Sequence, residues 1–247
     1  MISAILLAAG SGERMQGAVE DKILAPLRGQ AVISYSVRAF LEAGFVDRFT
    51  IVYRDIGQQS ALAYPLREID LGGRPVDWVQ GGSQRQDSVR HGLLAQTMDC
   101  RTVFIHDCAR PLVSAAAIRR LHEALRRDEA AVLAKPVPDT VKRLPEGGGL
   151  EGVALEDLDR SRLWAMETPQ AFRFIGILAA YEHIHRSGQK VTDDTAALAK
   201  IGKKVTVVHN PDPNPKLTTP ADLDYLAWLL ERRGTAPPPE PAADLPD

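Results

Sequence analysis

The sequence predicts an α/β fold: a mostly parallel twisted sheet with helices on both faces, plus a protruding β-arm. Three observations lead there. Short apolar runs alternate with helix-patterned segments four times or more between Ile2 and Ala134, the pattern of a parallel sheet covered by helices. The first run, Ile2 to Leu7 (ISAILL), suits a strand buried on both faces. The alternation stops at Lys135, and Pro136 to Arg162 is rich in proline and glycine with few large apolar residues.

After the first strand, Ala31 to Glu42 carries Val32, Tyr35, Val37, Ala39 and Phe40 mostly on one helical face. Phe49 to Tyr53 is a second strand. Ile56 to Ile69 has a helical pattern but contains Pro65, so a break is expected there. Val76 to Val79 is a third strand. Gly81-Gly82 turns the chain, and Ser83 is placed to cap a helix to about Gln96. Thr102 to Ile105 is a fourth strand, followed by His106-Asp107. Ser114 caps a helix to about Arg127, and Ala130 to Ala134 is a fifth strand.

Beyond Lys135, Val141 to Leu144 and Leu150 to Ala154 are expected to pair as a hairpin around Glu146 to Gly149. Residues 138–162 hold too little apolar surface to form a core alone. They are either a disordered flap or an arm that packs on something else. The sheet resumes at Trp164 to Glu167. Helices are expected over Phe174 to His185 and, capped by Thr192, over Asp193 to Lys200, with both aspartates in the first turn. Lys204 to Val208 is the last strand and Pro220 to Arg233 the last helix. A single domain is expected over residues 1–233, followed by a disordered tail at 234–247, where five prolines fall.

A chain of 247 residues with 45% hydrophobic and 25% charged residues has the make-up of a globular protein with its own core. Its 30 Lys and Arg against 32 Asp and Glu leave a net charge of −2. That balance argues against non-specific binding to nucleic acid or anionic membranes, so any phosphate recognition must be local. Cys100 and Cys108 lack metal-ligand spacing and are read as reduced thiols. No apolar stretch is long enough to cross a membrane, and the N-terminus enters a strand at once, with no room for a leader. A cytoplasmic location is expected.

Ligands of such sheets bind beyond the carboxyl ends of the strands. Three segments follow strands and so converge there: the loop after Leu7, Gly81-Gly82, and His106-Asp107. The first loop runs Ala8-Ala9-Gly10-Ser11-Gly12-Glu13-Arg14-Met15. Its small residues let the backbone approach a ligand closely, and successive N–H groups can form an anion nest. Arg14 and Lys22 add positive charge on either side, which together describes a seat for a polyphosphate. It is not a dinucleotide loop, because Met15 stands where a third glycine is needed. Nor is it a P-loop, which needs Gly-Lys followed by Ser or Thr. Taken alone, the loop is explained about as well by a tight turn without a ligand.

Asp107 falls on the same edge. A carboxylate beside a polyphosphate is the usual protein contribution to a Mg²⁺ site; the competing account is a structural ion pair with Arg110. His106 is read as a hydrogen-bonded packing residue. Gly82, Ser83 and Ser88 open a helix whose free N–H groups face the edge. Either serine is placed to contact a nucleobase or ribose, whereas a plain capped helix explains Ser83 and leaves Ser88 unexplained.

With a lysine following, Ala8 to Met15 resembles the signature of sugar-nucleotide-type nucleotidyltransferases. Further stretches resemble, in order, the 2-C-methyl-D-erythritol 4-phosphate cytidylyltransferase family. They are Gly81-Gly82 with Arg85 and Asp87-Ser88, His106-Asp107 with Ala109-Arg110-Pro111, and Asp139 to Lys142. Farther on come Asp159-Arg160 with Leu163-Trp164, Thr168 to Phe172, Thr192 to Asp194, and Lys216 to Pro220. The likeness runs from about Ile2 to Trp228. Asp21-Lys22-Ile23 departs from the common Pro-Lys-Gln, Ser83 from a common acidic residue, and Asn214-Pro215-Lys216 from Asn-Ile-Lys.

The resemblance implies a Rossmann-like nucleotidyltransferase fold and transfer of CMP from CTP to methylerythritol phosphate, with release of pyrophosphate, in non-mevalonate isoprenoid synthesis. Transfer to ribitol 5-phosphate is the nearest alternative; a non-catalytic nucleotide-binding regulator and a nicotinamide-dependent dehydrogenase lie further off. It implies Arg14 and Lys22 as catalytic cations. Ala8, Ala9, Gly10, Gly12, Gly82, Ser83, Ser88, Asp107 and Cys108 would contact the nucleotide. Arg110, Thr140, Arg160, Thr192 and Lys216 would contact the second substrate. Mg²⁺ is the implied cofactor, with Asp107 as its ligand, and residues 138–162 the dimerisation arm of a homodimer. No nucleic-acid or membrane partner is expected.

Overall fold

Ala4, Ile5 and Leu6 are fully buried and alternate between two hydrophobic cores, as the side chains of a strand covered on both faces must. The computed structural model describes residues 1–10, 12–15, 20–147 and 149–235. In chain order the strands are β1 (Ile2–Leu7), β2 (Pro26–Leu27), β3 (Gln30–Ala31), β4 (Arg48–Tyr53), β5 (Val76–Gln80), β6 (Thr102–Asp107), β7 (Ala130–Pro136), β8 (Lys142–Arg143), β9 (Glu156–Asp157), β10 (Trp164–Arg173) and β11 (Thr206–His209). The helices are α1 (Val32–Ala43), α2 (Ile56–Arg67), α3 (Arg85–Leu94), α4 (Ala115–Ala124), α5 (Phe174–Ser187), α6 (Asp194–Ala199) and α7 (Ala221–Thr235).

Seven strands make one sheet in the order β11-β7-β10-β6-β1-β4-β5. β1 runs parallel to β4 and β6, β4 to β5, and β11 to β7, while β10 is antiparallel to both its neighbours. This is the mostly parallel α/β sheet that the alternation predicts. Helices α1, α2, α4 and α7 pack on the core that holds Leu6 and Phe104; α3, α5 and α6 pack on the one that holds Ile5 and Ile105. Among the described residues no helix is long and apolar enough to cross a membrane.

Several expectations are corrected. Helix α2 does not break at Pro65 but continues to Arg67; the proline removes its own bond to the carbonyl four residues back, and only two helical residues follow it. Gln84, not Ser83, precedes α3: Asp87 Oδ2 accepts from the Gln84 N–H at 3.1 Å and from the Ser83 hydroxyl at 3.0 Å. Asp193, not Thr192, caps α6 and accepts from the Ala196 N–H at 2.9 Å. In both places a carboxylate takes the capping bond. Strand β10 is ten residues long rather than four, and its register shifts between Met166 and Gln170, which accommodates Pro169 within a strand.

In the arm, β8 pairs with β9 in the register Lys142↔Asp157 and Arg143↔Glu156, so the second strand lies beyond 150–154. The pairing is set by charge: Lys142 and Asp157 meet at 2.6 Å and Arg143 and Glu156 at 2.9 Å. Helix α7 extends to Thr235, and residues 236–247 of the expected tail lie outside the described residues.

Candidate active site

The carboxyl ends of β1, β4, β5 and β6 open on one cavity of about 440 Å³. Its floor is Ala8 to Gly10, where the chain leaves β1 with the Ala8 N–H still bonded to Val52 C=O at 2.9 Å. Opposite lies the Gly81-Gly82 turn. A Cβ on Gly81 would stand 2.7 Å from Ser88 Oγ and 2.9 Å from Ala9 Cβ, and one on Gly82 would stand 2.3 Å from Asp87 Cβ. Only glycine permits so close an approach. Ser88 Oγ accepts from the Gly82 N–H at 3.1 Å, which accounts for the serine that a simple cap does not explain.

Charge is concentrated on the wall. Asp107, the last residue of β6, accepts from Arg85 Nε at 3.1 Å and from Lys216 Nζ at 2.5 Å. Burial pushes its carboxyl pKa up, but Arg85 and Lys216 outweigh that and hold it well below the usual carboxylate range. Arg85 grips the fully buried Asp194 with both terminal nitrogens, at 3.0 and 2.9 Å, and Tyr181 donates to the same carboxylate at 2.5 Å. Burial would lower the pKa of Arg85, yet Asp194 and Asp107 keep it well above its ordinary value. The competing account of Asp107, an ion pair with Arg110, is not what forms; Arg110 donates instead to Asn214 C=O at 2.7 Å.

Lys216 arrives from a distant loop that is pinned at several points. Asn210 and Asn214 donate to Glu167 Oε2 at 2.8 and 3.2 Å, and the Leu217 N–H donates to Ala109 C=O at 2.7 Å. Its ammonium is therefore held at the cavity wall rather than left in solvent. Lys22 also lines the cavity. Burial, helped by Lys216 and Arg14, lowers its pKa, while Asp107 and Asp21 act the other way. Its stem passes the glycine loop, with Cε 3.9 Å from where a Gly10 Cβ would lie and Cδ 3.9 Å from the same point at Gly12.

Of the predicted site residues, Ala8, Ala9, Gly10, Lys22, Gly82, Ser83, Ser88, Asp107 and Lys216 line this cavity together. Arg14 is exposed on the short turn Glu13–Met15, near enough to act on Lys22 by charge. Cys108 is buried in the core, and burial raises its thiol pKa. Thr140, Arg160 and Thr192 are exposed and stand off the cavity wall. Arg160 donates to Pro138 C=O at 2.7 Å, closing the base of the arm, while Asp159 is occupied by Ser161. His106 is a packing residue: its ring nitrogens lie 3.2 Å from Ser36 Oγ and 3.1 Å from Thr168 Oγ1, and burial lowers its pKa to about 3.

Arg85, Arg54 and Gln84 also line the cavity without having been assigned there from sequence. Arg85 and Asp194 both fall in stretches that carry the family resemblance. Their pairing spans 109 positions, and no local pattern announces it.

A cation-lined cavity over a glycine loop, at the carboxyl edge of a mostly parallel sheet, defines a nucleotide-handling α/β enzyme. The family model described as "IspD: 2-C-methyl-D-erythritol 4-phosphate cytidylyltransferase" matches residues 2–232. Relatives named 2-C-methyl-D-erythritol 4-phosphate cytidylyltransferase include one from Prochlorococcus marinus, 38% identical over 93% of this chain and 98% of its own length. Another, from Symbiobacterium thermophilum, is 38% identical over 93% of each chain. A solved 4-diphosphocytidyl-2C-methyl-D-erythritol synthase from Anaerococcus prevotii superposes with a TM-score of 0.81 at 29% identity, covering 94% of this chain and 99% of that one. The Francisella tularensis 2-C-methyl-D-erythritol 4-phosphate cytidylyltransferase gives 0.74 at 27% identity, over 92% and 99%. The chain belongs to the 2-C-methyl-D-erythritol 4-phosphate cytidylyltransferase family.

Proposed function

We propose that the chain transfers a cytidylyl group from CTP to 2-C-methyl-D-erythritol 4-phosphate and releases pyrophosphate, a step of isoprenoid precursor synthesis. The observation that carries the proposal is the single cavity where the glycine loop, Lys22, Asp107 and Lys216 meet, in a chain that belongs to this family over nearly its whole length. A phosphate oxygen of the acceptor attacks the α-phosphorus of CTP. The bond from that phosphorus to the α,β-bridging oxygen breaks, and the electron pair leaves with pyrophosphate. The nucleophile is already an anion near neutral pH, so no general base is required. His106, uncharged and off the cavity wall, fits that view.

Catalysis then rests on positioning and on charge. The backbone from Ala8 to Gly10 cradles the nucleotide, and Lys22 with Arg14 serves the triphosphate. Two unit charges about 4 Å apart repel by roughly 4 kcal/mol at an effective dielectric near 20, so the acceptor phosphate needs a cation of its own. Lys216 is placed for that task. No observation favours ribitol 5-phosphate as acceptor. Pyrophosphate release from CTP with each polyol phosphate tests the reading: release with methylerythritol phosphate is expected, and a preference for ribitol 5-phosphate would overturn it.

Mg²⁺ is the proposed cofactor, with Asp107 as its protein ligand. Each Asp107 oxygen accepts from one cation and keeps a lone pair, and Mg²⁺ takes most of its ligands from phosphate and water. Among the described residues no group of three or more His, Cys, Asp or Glu forms a cage for a metal. When bound, the ion offsets phosphate charge. Asp107→Asn is expected to raise the Mg²⁺ concentration for half-activity several-fold, with the fold kept because Arg85 retains Asp194. An unchanged Mg²⁺ requirement, together with a lower unfolding midpoint, would assign Asp107 to ion pairing alone.

A homodimer with residues 138–162 as its arm is also proposed. No described residue in this range is buried, and Leu144, Leu150 and Leu155 are 47%, 82% and 53% exposed. A two-stranded hairpin without a core gains from docking on a second copy. Where the arm crosses to the partner, two-fold symmetry makes each arm contact the other's body, and Arg160 would then serve the partner's site. Deleting the arm should give monomers in sedimentation; a stable dimer would refute the assignment.

A further inference from the structure

We infer that Gln58 and Asp21 are positioning residues for Lys22, a buried amide–carboxylate pair that fixes its ammonium over the glycine loop. The inference rests on Lys22 as a cation for the triphosphate. Asp21 shapes the turn on which Lys22 stands: its Oδ1 accepts from the Ile23 N–H at 2.9 Å and its C=O from the Leu24 N–H at 3.1 Å. Its carboxylate is only 6% exposed, so it needs partners. Oδ2 accepts from Gln58 Nε2 at 2.6 Å, and Arg54 Nη1 lies 3.5 Å away to balance the charge.

Gln58 is 4% exposed and spends every amide hydrogen-bonding direction it has as a donor. Nε2 also donates to Ala8 C=O at 3.0 Å, and Oε1 accepts from the Arg54 N–H at 2.6 Å. The Asp55 cap of α2, which takes the Gln58 N–H at 2.9 Å, holds the residue at the start of that helix. One side chain thus ties the end of β1, the end of β4 and the Lys22 turn together. Lysine is a point charge on a flexible four-carbon stem. Where its Cα stands, relative to the loop that cradles phosphate, therefore decides whether the ammonium reaches the charge that develops. A displacement near 1 Å at such a site lowers the rate by about 10²-fold.

A double-mutant cycle tests this. Gln58→Met keeps the apolar stem and removes all three side-chain bonds. It is expected to lower kcat by about 10- to 100-fold while the acceptor KM moves little. In a Lys22→Ala background the same change should alter kcat by less than about twofold, because the group it positions is gone. Equal losses in both backgrounds would show a merely structural role and overturn the inference, as would a Gln58→Met enzyme with unchanged kcat. Near-normal kcat in Lys22→Ala alone would instead sink the role of Lys22, and the inference with it. Should Gln58→Met lack the near-ultraviolet dichroism of the parent, Asp21→Asn enters the same cycle with the same criteria. It keeps the acceptor for Ile23 and sets an amide N–H against Gln58 Nε2.

Discussion

Lys22→Ala is expected to lower kcat by about 10²–10³, the usual loss when one donor is removed from a site that stabilises developing charge. Negative charge grows on the leaving pyrophosphate as the bond to the α-phosphorus breaks. Lys22 lines the cavity, and burial together with Lys216 and Arg14 already disfavours its charged form. Its ammonium is therefore better satisfied when the triphosphate is present and best satisfied as that charge peaks. An interaction that strengthens in the transition state appears in kcat rather than in substrate binding. Steady-state kinetics beside a direct titration of CTP make the check: turnover should fall far more than affinity. Turnover close to the parent's would remove Lys22 from the mechanism.

The second large effect is on stability. Arg85→Met should destabilise the fold by about 3–5 kcal/mol, because removing one partner of a buried ion pair leaves the other uncompensated. Asp194 is fully buried, and Arg85 supplies two of the bonds to its carboxylate. Tyr181 alone would remain among the side-chain donors described for it. Asp107, by contrast, keeps Lys216 and borders the cavity. Denaturant unfolding measures the difference. A loss below about 1 kcal/mol, the level of an exposed pair, would mean that Asp194 finds water or another donor when Arg85 is gone.

Much of this site is legible in the sequence because parallel topology does the geometric work. Once Ile2 to Leu7, Phe49 to Tyr53 and Thr102 to Ile105 are read as parallel strands, the glycine loop and Asp107 must meet at one edge. What resists reading depends on long-range partners. Lys216 is brought to Asp107 by a loop whose Asn210 and Asn214 are bonded to Glu167, a residue of β10. That strand is itself obscured by Pro169, which argues against a strand until the register shift is seen. The second strand of the arm hides for a different reason: opposite charges, rather than apolar side chains, set its pairing with Lys142 and Arg143. Gln58 carries no motif at all, and its three bonds depend on a tertiary arrangement.

In the proposed reaction the α-phosphorus of CTP, with its nucleoside, passes to the acceptor phosphate. The most direct measurement follows a label placed in turn on the α- and γ-phosphorus of CTP, with methylerythritol phosphate and Mg²⁺ present. The α-label is expected to leave in a cytidine-containing diphosphate product and the γ-label in pyrophosphate. Transfer of the γ-label to the acceptor, or retention of both labels in CTP, would contradict it.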